Sequence, residues 1–302
     1  MNMNDIQFDP KALWYQGCAI SLEGEESEKI AALDKLEKSG QYYAQPKCDG
    51  IWASLWGEGG HTRAFSRNRL EKADHGLPGV GDGNCIVGEL GYGSQHSKER
   101  KKKLGYSFAD VFDILWFDGH YVGDRGERSR RGILKSWWYS LPEDTRKHFI
   151  LLPVWLDRFS DRYVKEHEGL VVKKKNLGAW QCGTKHPDWI KAKKEQDYDV
   201  VIMGWELSNA TTKVAEPMCK NVVVGQYIGG QLKRMGKVGS IPHELSKKIA
   251  QDFGKFTGRV IVVRSNMRFN SGSFRHIKLA PFVGEYPFRD DKNPEDCTWE
   301  PK

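Results

Sequence analysis

The chain has 302 residues, 39% hydrophobic and 12% aromatic, the composition of a folded protein with one large or two ordinary cores. Its net charge of +7 and pI near 8.9 favour a polyanionic partner without identifying one. No apolar run approaches the ~18 residues a membrane helix needs, the Met1–Asp5 start lacks a secretion signal, and six scattered cysteines form no C-x-x-C pair, so a reduced cytoplasmic protein with no structural zinc and no membrane association is expected.

Ile30, Leu33 and Leu36 recur at helical spacing and predict a helix over 27–39, ended by Gly40. Next comes Tyr43–Trp52, where Lys47 stands in an apolar setting, followed by Asp49 and Gly50 and then by a strand over 51–56. A lysine at such a junction can lose solvent, and nearby cations lower its pKa further, which makes the amine a nucleophile. Gly50 would let the backbone pass close to a ligand. Alone, however, such a lysine is more often a surface residue before a hairpin. Gly57–Gly60 supplies a turn into a strand over 62–69, and a glycine-rich loop over 76–84 leads to a short strand over 85–90. Its one acid, Glu89, is costly to bury unless it meets a cation, a metal or hydroxyl donors. The basic runs Lys98–Lys103 and Arg125–Arg131 fit phosphate tracks and solvated surface equally well.

Aromatic and β-branched content over 106–117 predicts a buried strand, Ile133, Leu134, Trp137 and Trp138 one helix, and 143–148 another. A strand over 168–173 carries Glu168 at one end and Lys173 at the other. The alternation of Trp189–Lys193 puts Lys191 and Lys193 on one face. A polar link at Lys194–Asp197 marks a boundary. Beyond it, strands over 199–205, 221–228, 231–238 and 259–264 surround one helix that follows Pro242, with Leu245, Ile249 and Phe253 as its apolar stripe. That content fits a small Greek-key barrel of the oligonucleotide-binding type, with 207–220 as a short clamp-like loop.

A lysine nucleophile, lone acids on strands, an aromatic strand and paired lysines suit phosphoryl chemistry at a nucleotide; no G-x-x-x-x-G-K-[ST] is present, which excludes a P-loop enzyme. In order and spacing the residues resemble the covalent nucleotidyltransferases, most closely the minimal two-domain ATP-dependent DNA ligases of phage and viral type. Lys47–Gly50 matches the K-x-D-G of the adenylated lysine, and Ser66-Arg67 looks like the S-R motif whose arginine grips a 5′-phosphate. Gly88-Glu89 resembles the end of D-G-E, and Phe112-Asp113 the strand that stacks adenine. Glu168-Gly169 matches the E-G of a metal-binding acid, Trp189–Lys193 the W-x-K-x-K whose lysines hold the α-phosphate, and Arg289–Lys292 the R-x-D-K that orients the leaving pyrophosphate.

The resemblance implies an α+β fold: a nucleotidyltransferase (adenylation) domain of ATP-grasp-like antiparallel sheets with helices over 1–195, then an OB-fold barrel over 196–302. It implies ATP and Mg²⁺ (or Mn²⁺) as cofactors and nicked duplex DNA as partner. The implied enzyme is a monomer working in replication, repair or recombination in a bacterial cell or phage-infected host. The implied catalytic residues are Lys47, Asp49, Lys191, Lys193, Arg289, Asp291 and Lys292. Gln45, Lys47, Glu89, Phe112, Lys191 and Lys193 would bind the nucleotide, Arg67, Arg63 and Arg69 the DNA, and Glu168, Asp49 and Glu89 the metal. Two positions depart from the pattern: Trp52 stands where the family has an arginine, for which Arg63 or Arg69 would substitute, and Val87 stands at the first acid of D-G-E. An RNA ligase, a capping guanylyltransferase and a non-catalytic DNA-binding protein with a decayed transferase domain are the competing readings.

Overall fold

A computed structural model describes residues 9, 14–91, 95–166, 168–207, 218–269, 271–282 and 287–300. The chain divides into two compact units, Met1–Lys193 and Lys194–Lys302. In the first, the order is β1 (Gln16–Ser21), α1 (Glu26–Lys38), β2 (Tyr42–Pro46), β3 (Ile51–Glu58), β4 (His61–Ser66), β5 (Cys85–Leu90), α2 (Gln95–Leu104), β6 (Ala109–Phe117), β7 (His120–Tyr121), α3 (Glu127–Ser140), α4 (Glu143–Arg146), β8 (Phe149–Leu151), α5 (Phe159–Lys165), β9 (Gly169–Lys174) and β10 (Thr184–Lys193). None of the described helices is long and apolar enough to cross a membrane.

Two sheets build this unit, one ordered β1-β10-β9-β2 and the other β4-β3-β5-β6-β7 with β8 beside β6. Alternation along each strand decides what lies on either face. On β9 and β10, Leu170, Val172, Ile190 and Ala192 pack with Ala44 against Leu33 of α1 and Phe159 and Tyr163 of α5. The intervening residues, Val171, Lys173, Trp189, Lys191 and Lys193, face the other way and line a cavity. The second sheet is buried on both sides, which is why β3 reads as a continuous apolar run. Ala53 and Leu55 pack under α3 with Leu134 and Trp137, whereas Trp52 and Trp56 join Trp14, Trp116, Trp180 and Trp189 in an aromatic cluster. Helix α1 is closed at its start by a reciprocal capping box between Glu25 and Glu28, with basic Lys35 and Lys38 in its last turn.

The second unit contains β11 (Gln196–Leu207), β12 (Cys219–Ile228), β13 (Gln231–Val238), α6 (His243–Gln251), β14 (Val260–Ser265), β15 (Met267–Arg268), β16 (Phe274–Arg275) and β17 (Lys278–Leu279). Its main sheet is antiparallel, ordered β13-β12-β11-β14-β17, and its core joins Val200, Ile202, Val222, Val224 and Val263 to Leu245 and Ile249 of α6. Most of the expected clamp-like loop, 208–217, lies outside the described residues.

Several boundaries differ from the sequence reading. The second half of the polar link is strand: β11 begins at Gln196, and Asp197 receives Arg264 through two bonds of 2.7 and 2.8 Å. The strand over 62–69 stops at Ser66, and Arg69 adopts a left-handed backbone (φ 61°) in the following turn. The basic run 125–131 becomes the start of α3, and its Arg130 is 1% exposed, forked onto the equally buried Asp113 at 2.9 and 3.1 Å. That arginine is structural, which ends the idea of 125–131 as a continuous phosphate track. Unpredicted are β1, β2, α2, β7, β8 and α5 in the first unit and β15, β16 and β17 in the second.

Candidate active site

The cavity between the two sheets of the first unit has a volume of about 570 Å³ and is lined by residues of both, a size that suits a small ligand. Lys47 follows β2, and its N–H donates to Gly169 O at 2.9 Å. Its Nζ donates to Glu168 Oε2 at 3.1 Å; the lysine side chain is 22% exposed and the glutamate 4%. The E-G pair is set by sterics, because Gly169 has φ 100° and a Cβ there would lie 1.9 Å from Ala192 O. Gly50 lines the cavity and has a similar steric cause. A Cβ at that place would fall 2.5 Å from Leu90 O, so the glycine permits packing of the lysine loop on β5 whether or not a ligand is close.

Glu89 on β5 is half-buried in the same cavity. Burial pushes its carboxyl up to about 7; Lys47 opposes the shift, the Asp110 and Asp49 carboxylates add to it, and Arg67 opposes it. Asp49 is buried and its carbonyl accepts from Ser97 Oγ at 2.8 Å. Lys191 and Lys193 enter from β10, Gln45 from β2 and Phe112 from β6. Arg67 stands exposed on the lining and touches Tyr15, whose phenol is pushed up by burial and held down in part by that arginine.

Not every expected residue joins this group. Arg63 is clamped by Glu71 at 2.8 and 2.9 Å and by Glu58 at 2.8 Å and is absent from the cavity lining, as is the exposed Arg69. Neither one fills the place of the missing arginine. Trp52 itself lines the cavity, 9% exposed, with its ring edge-on to Tyr15 at 5.2 Å. Its indole N–H meets no acceptor among the described residues. Val87 is fully buried among Trp56 and Trp116, a place where a carboxylate would be left without solvent. In the second unit, Arg289 forks onto Asp291 at 2.8 and 2.9 Å and reaches Asp199 at 3.3 Å, and Lys292 pairs with the other oxygen of Asp199.

Lys173, expected only as the end of a strand, also belongs to the site. It is buried on the cavity face of β9, with Nζ 4.0 Å from the centre of the Trp189 ring, 4.9 Å from that of Phe112 and 4.0 Å from Glu127. Burial lowers its pKa, against the pull of Glu127 and Asp113. The signal was there, since Lys173 lies two residues beyond Val171 on an alternating strand. Tyr15, Gln16 and Cys18, at the start of β1, also line the cavity; no periodicity marked that short strand.

A lysine cluster, an isolated acid and aromatic rings thus share one cavity. Residues 89–193 match the family model described as ATP dependent DNA ligase domain, a span that holds Glu89, Phe112, Glu168, Lys191 and Lys193. Over that span, about a third of its length, the chain is similar to the ATP-dependent DNA ligases. Its fold is similar to a solved structure described as "Pmar-Lig_PreS3", at 15% identity and a TM-score of 0.59 over 90% of this chain and 67% of that one. It is also similar to one described as "DNA binding with a minimal scaffold: Structure-function analysis of Lig E DNA ligases", at 16% identity and a TM-score of 0.59 over 83% of this chain and 93% of that one. No curated protein matches it.

Proposed function

We propose that the chain is an ATP-dependent DNA ligase that seals 5′-phosphate/3′-hydroxyl nicks in duplex DNA through a lysyl-AMP intermediate. The observation that carries this reading is Lys47 opening into the cavity, 3.1 Å from the buried Glu168, with Lys191 and Lys193 on the same lining. Once the Lys47–Glu168 pair opens, the amine attacks the α-phosphorus of ATP. The new P–N bond replaces the bond to pyrophosphate, and the nitrogen loses a proton. The 5′-phosphate of a nick then takes the AMP as the P–N bond breaks and the nitrogen is reprotonated. Finally the 3′-hydroxyl attacks that 5′-phosphate and AMP leaves. Lys191 and Lys193 offset the charge that develops on the phosphate. Phe112 and Trp189 offer the base aromatic surface, Gln45 a polar edge, and Glu89 a partner for the ribose. Arg67 is the contact for the nick's 5′-phosphate.

Mg²⁺ (or Mn²⁺) would supply charge neutralisation at the phosphates. Glu168, Asp49 and Glu89 offer the hard oxygen donors such an ion prefers. Among the described residues no three acids, histidines or cysteines gather around one point, which suits an ion that takes most of its ligands from phosphates and water. In this reading residues 1–195 form the adenylation domain and 196–302 an OB-fold barrel; the five-stranded antiparallel sheet with a single helix supports the latter. A monomer acting in DNA replication, repair or recombination in the cytoplasm follows from the same reading.

The test is transfer of label from α-labelled ATP to the protein, followed by sealing of a nicked duplex. Lys47→Ala is expected to abolish the protein label, and retained labelling would overturn the assignment. Label taken from GTP in preference to ATP would indicate a capping enzyme, and sealing of nicked RNA in preference to DNA an RNA ligase.

A further inference from the structure

Helix α2 carries a charge pattern that the reaction above leaves unused. Its inner side is pinned. Ser97 Oγ donates to Asp49 O at 2.8 Å, and Arg100 forks onto Asp110 at 2.7 and 2.9 Å with its guanidinium 4.3 Å from the centre of the Phe108 ring. At 100° per residue Ser97, Arg100 and Leu104 share that side. Lys98 and Lys102 point to the opposite side, Lys101 and Lys103 flank it, and all four are exposed. Glu99 is the only acid in the helix. Lys98, Lys101 and Lys102 stand at i, i+3 and i+4, so their ammonium groups repel one another at a cost of a few tenths of a kcal/mol per pair. A polyanion would relieve that repulsion.

The anchors also fix where the lysines stand. Asp49 lies two residues after Lys47, and Asp110 is the register partner of Glu89. The basic face is therefore mounted on the backbone that presents the nucleophile and the half-buried acid. We propose that the outer face of α2 is a docking surface for the phosphate backbone of duplex DNA, carrying the substrate strand beside the Lys47 loop. This rests on the ligase reading and adds a contact surface to it. Because α2 would grip phosphates and not base edges, its contribution is independent of sequence and sensitive to salt.

The experiment measures affinity of the full chain for a nicked duplex between about 50 and 300 mM salt, with Lys98→Gln/Lys101→Gln/Lys102→Gln beside the wild type. Glutamine keeps helix propensity and removes the repulsion, so the variant is expected to melt no lower than the wild type. The slope of log affinity against log salt is expected to fall by about 2 to 3, and the affinity near 100 mM by about tenfold or more. AMP transfer to Lys47 should be unchanged. Arginine at the same three positions should restore the slope, and Lys35→Gln/Lys38→Gln on α1 should leave it alone. A folded glutamine variant with the wild-type slope and affinity overturns the proposal. Absence of AMP label on the wild type would instead strike the nucleotidyl-transfer reading, and the salt slope would still decide the role of α2.

Discussion

Glu89 shows how one side chain reports on its surroundings. Its carboxyl is raised from the ordinary 4.5 to about 7 because burial strips its solvent and Asp110 and Asp49 lie near. Between those values the folded chain holds a proton that the unfolded chain has released. The stability tied to the neutral acid is thus fully present below about 4.5 and lost as pH rises through about 7. Glu89→Gln, which cannot ionise, should be more stable than the wild type at pH 8 by about 1–2 kcal/mol, allowing for the partial exposure of the site. The two should melt together at pH 4.5. Thermal melts across that range provide the measurement, and a difference that stays constant with pH would rule out this carboxyl as the source. Trp52 makes a related point. In place of a charged group the cavity gains an aromatic wall packed on Tyr15, and with Arg63 held by two glutamates, the phosphate contact of the proposed reaction would fall on Arg67.

At the scale of elements, the strand alternation that separates Ile190 and Ala192 from Lys191 and Lys193 was legible in the sequence, and it places the paired lysines on the cavity. Lys47 was legible by its apolar setting before a strand and Glu89 as the one acid in an apolar strand; Gln45 and Phe112 came only with the family resemblance, since β2 shows no periodicity of its own. What was hidden depended on partners distant in sequence. Nothing in Arg125–Arg131 says that Arg130 turns inward, because its partner Asp113 lies 17 residues earlier on β6. Helix α2 was hidden by its charge, since its inner side is held by a hydroxyl and a guanidinium and shows no apolar stripe. The Arg130–Asp113 fork also yields a prediction. Arg130→Met should cost about 3–5 kcal/mol, because it leaves a buried carboxylate unpaired. The double change with Asp113→Leu should recover most of that loss. Denaturant unfolding decides it, and an additive double variant would show that the pair is not coupled.

For the whole molecule, the division into two units assigns the proposed chemistry unequally. The first holds Lys47, Glu168, Lys191 and Lys193; the second holds Arg289, Asp291 and Lys292, gathered at Asp199 of β11. The exposed Asp291 is held at about 2 by its bonds to Arg289, whose own pKa is raised by the same contact, so this pair keeps its charges over the whole working range of pH. If Arg289 and Lys292 serve the departing pyrophosphate, they matter only where pyrophosphate leaves. Arg289→Ala/Lys292→Ala should then slow self-adenylation from ATP by about a hundredfold or more, the scale of losing preorganised charge at a leaving group. Sealing of a nick that already carries AMP on its 5′-phosphate releases no pyrophosphate and should stay within a few-fold of the wild type. The two rates, measured side by side on one preparation, separate the steps. An equal loss in both would mean that the cluster contributes to fold or to DNA binding, and that pyrophosphate release is handled within the first unit.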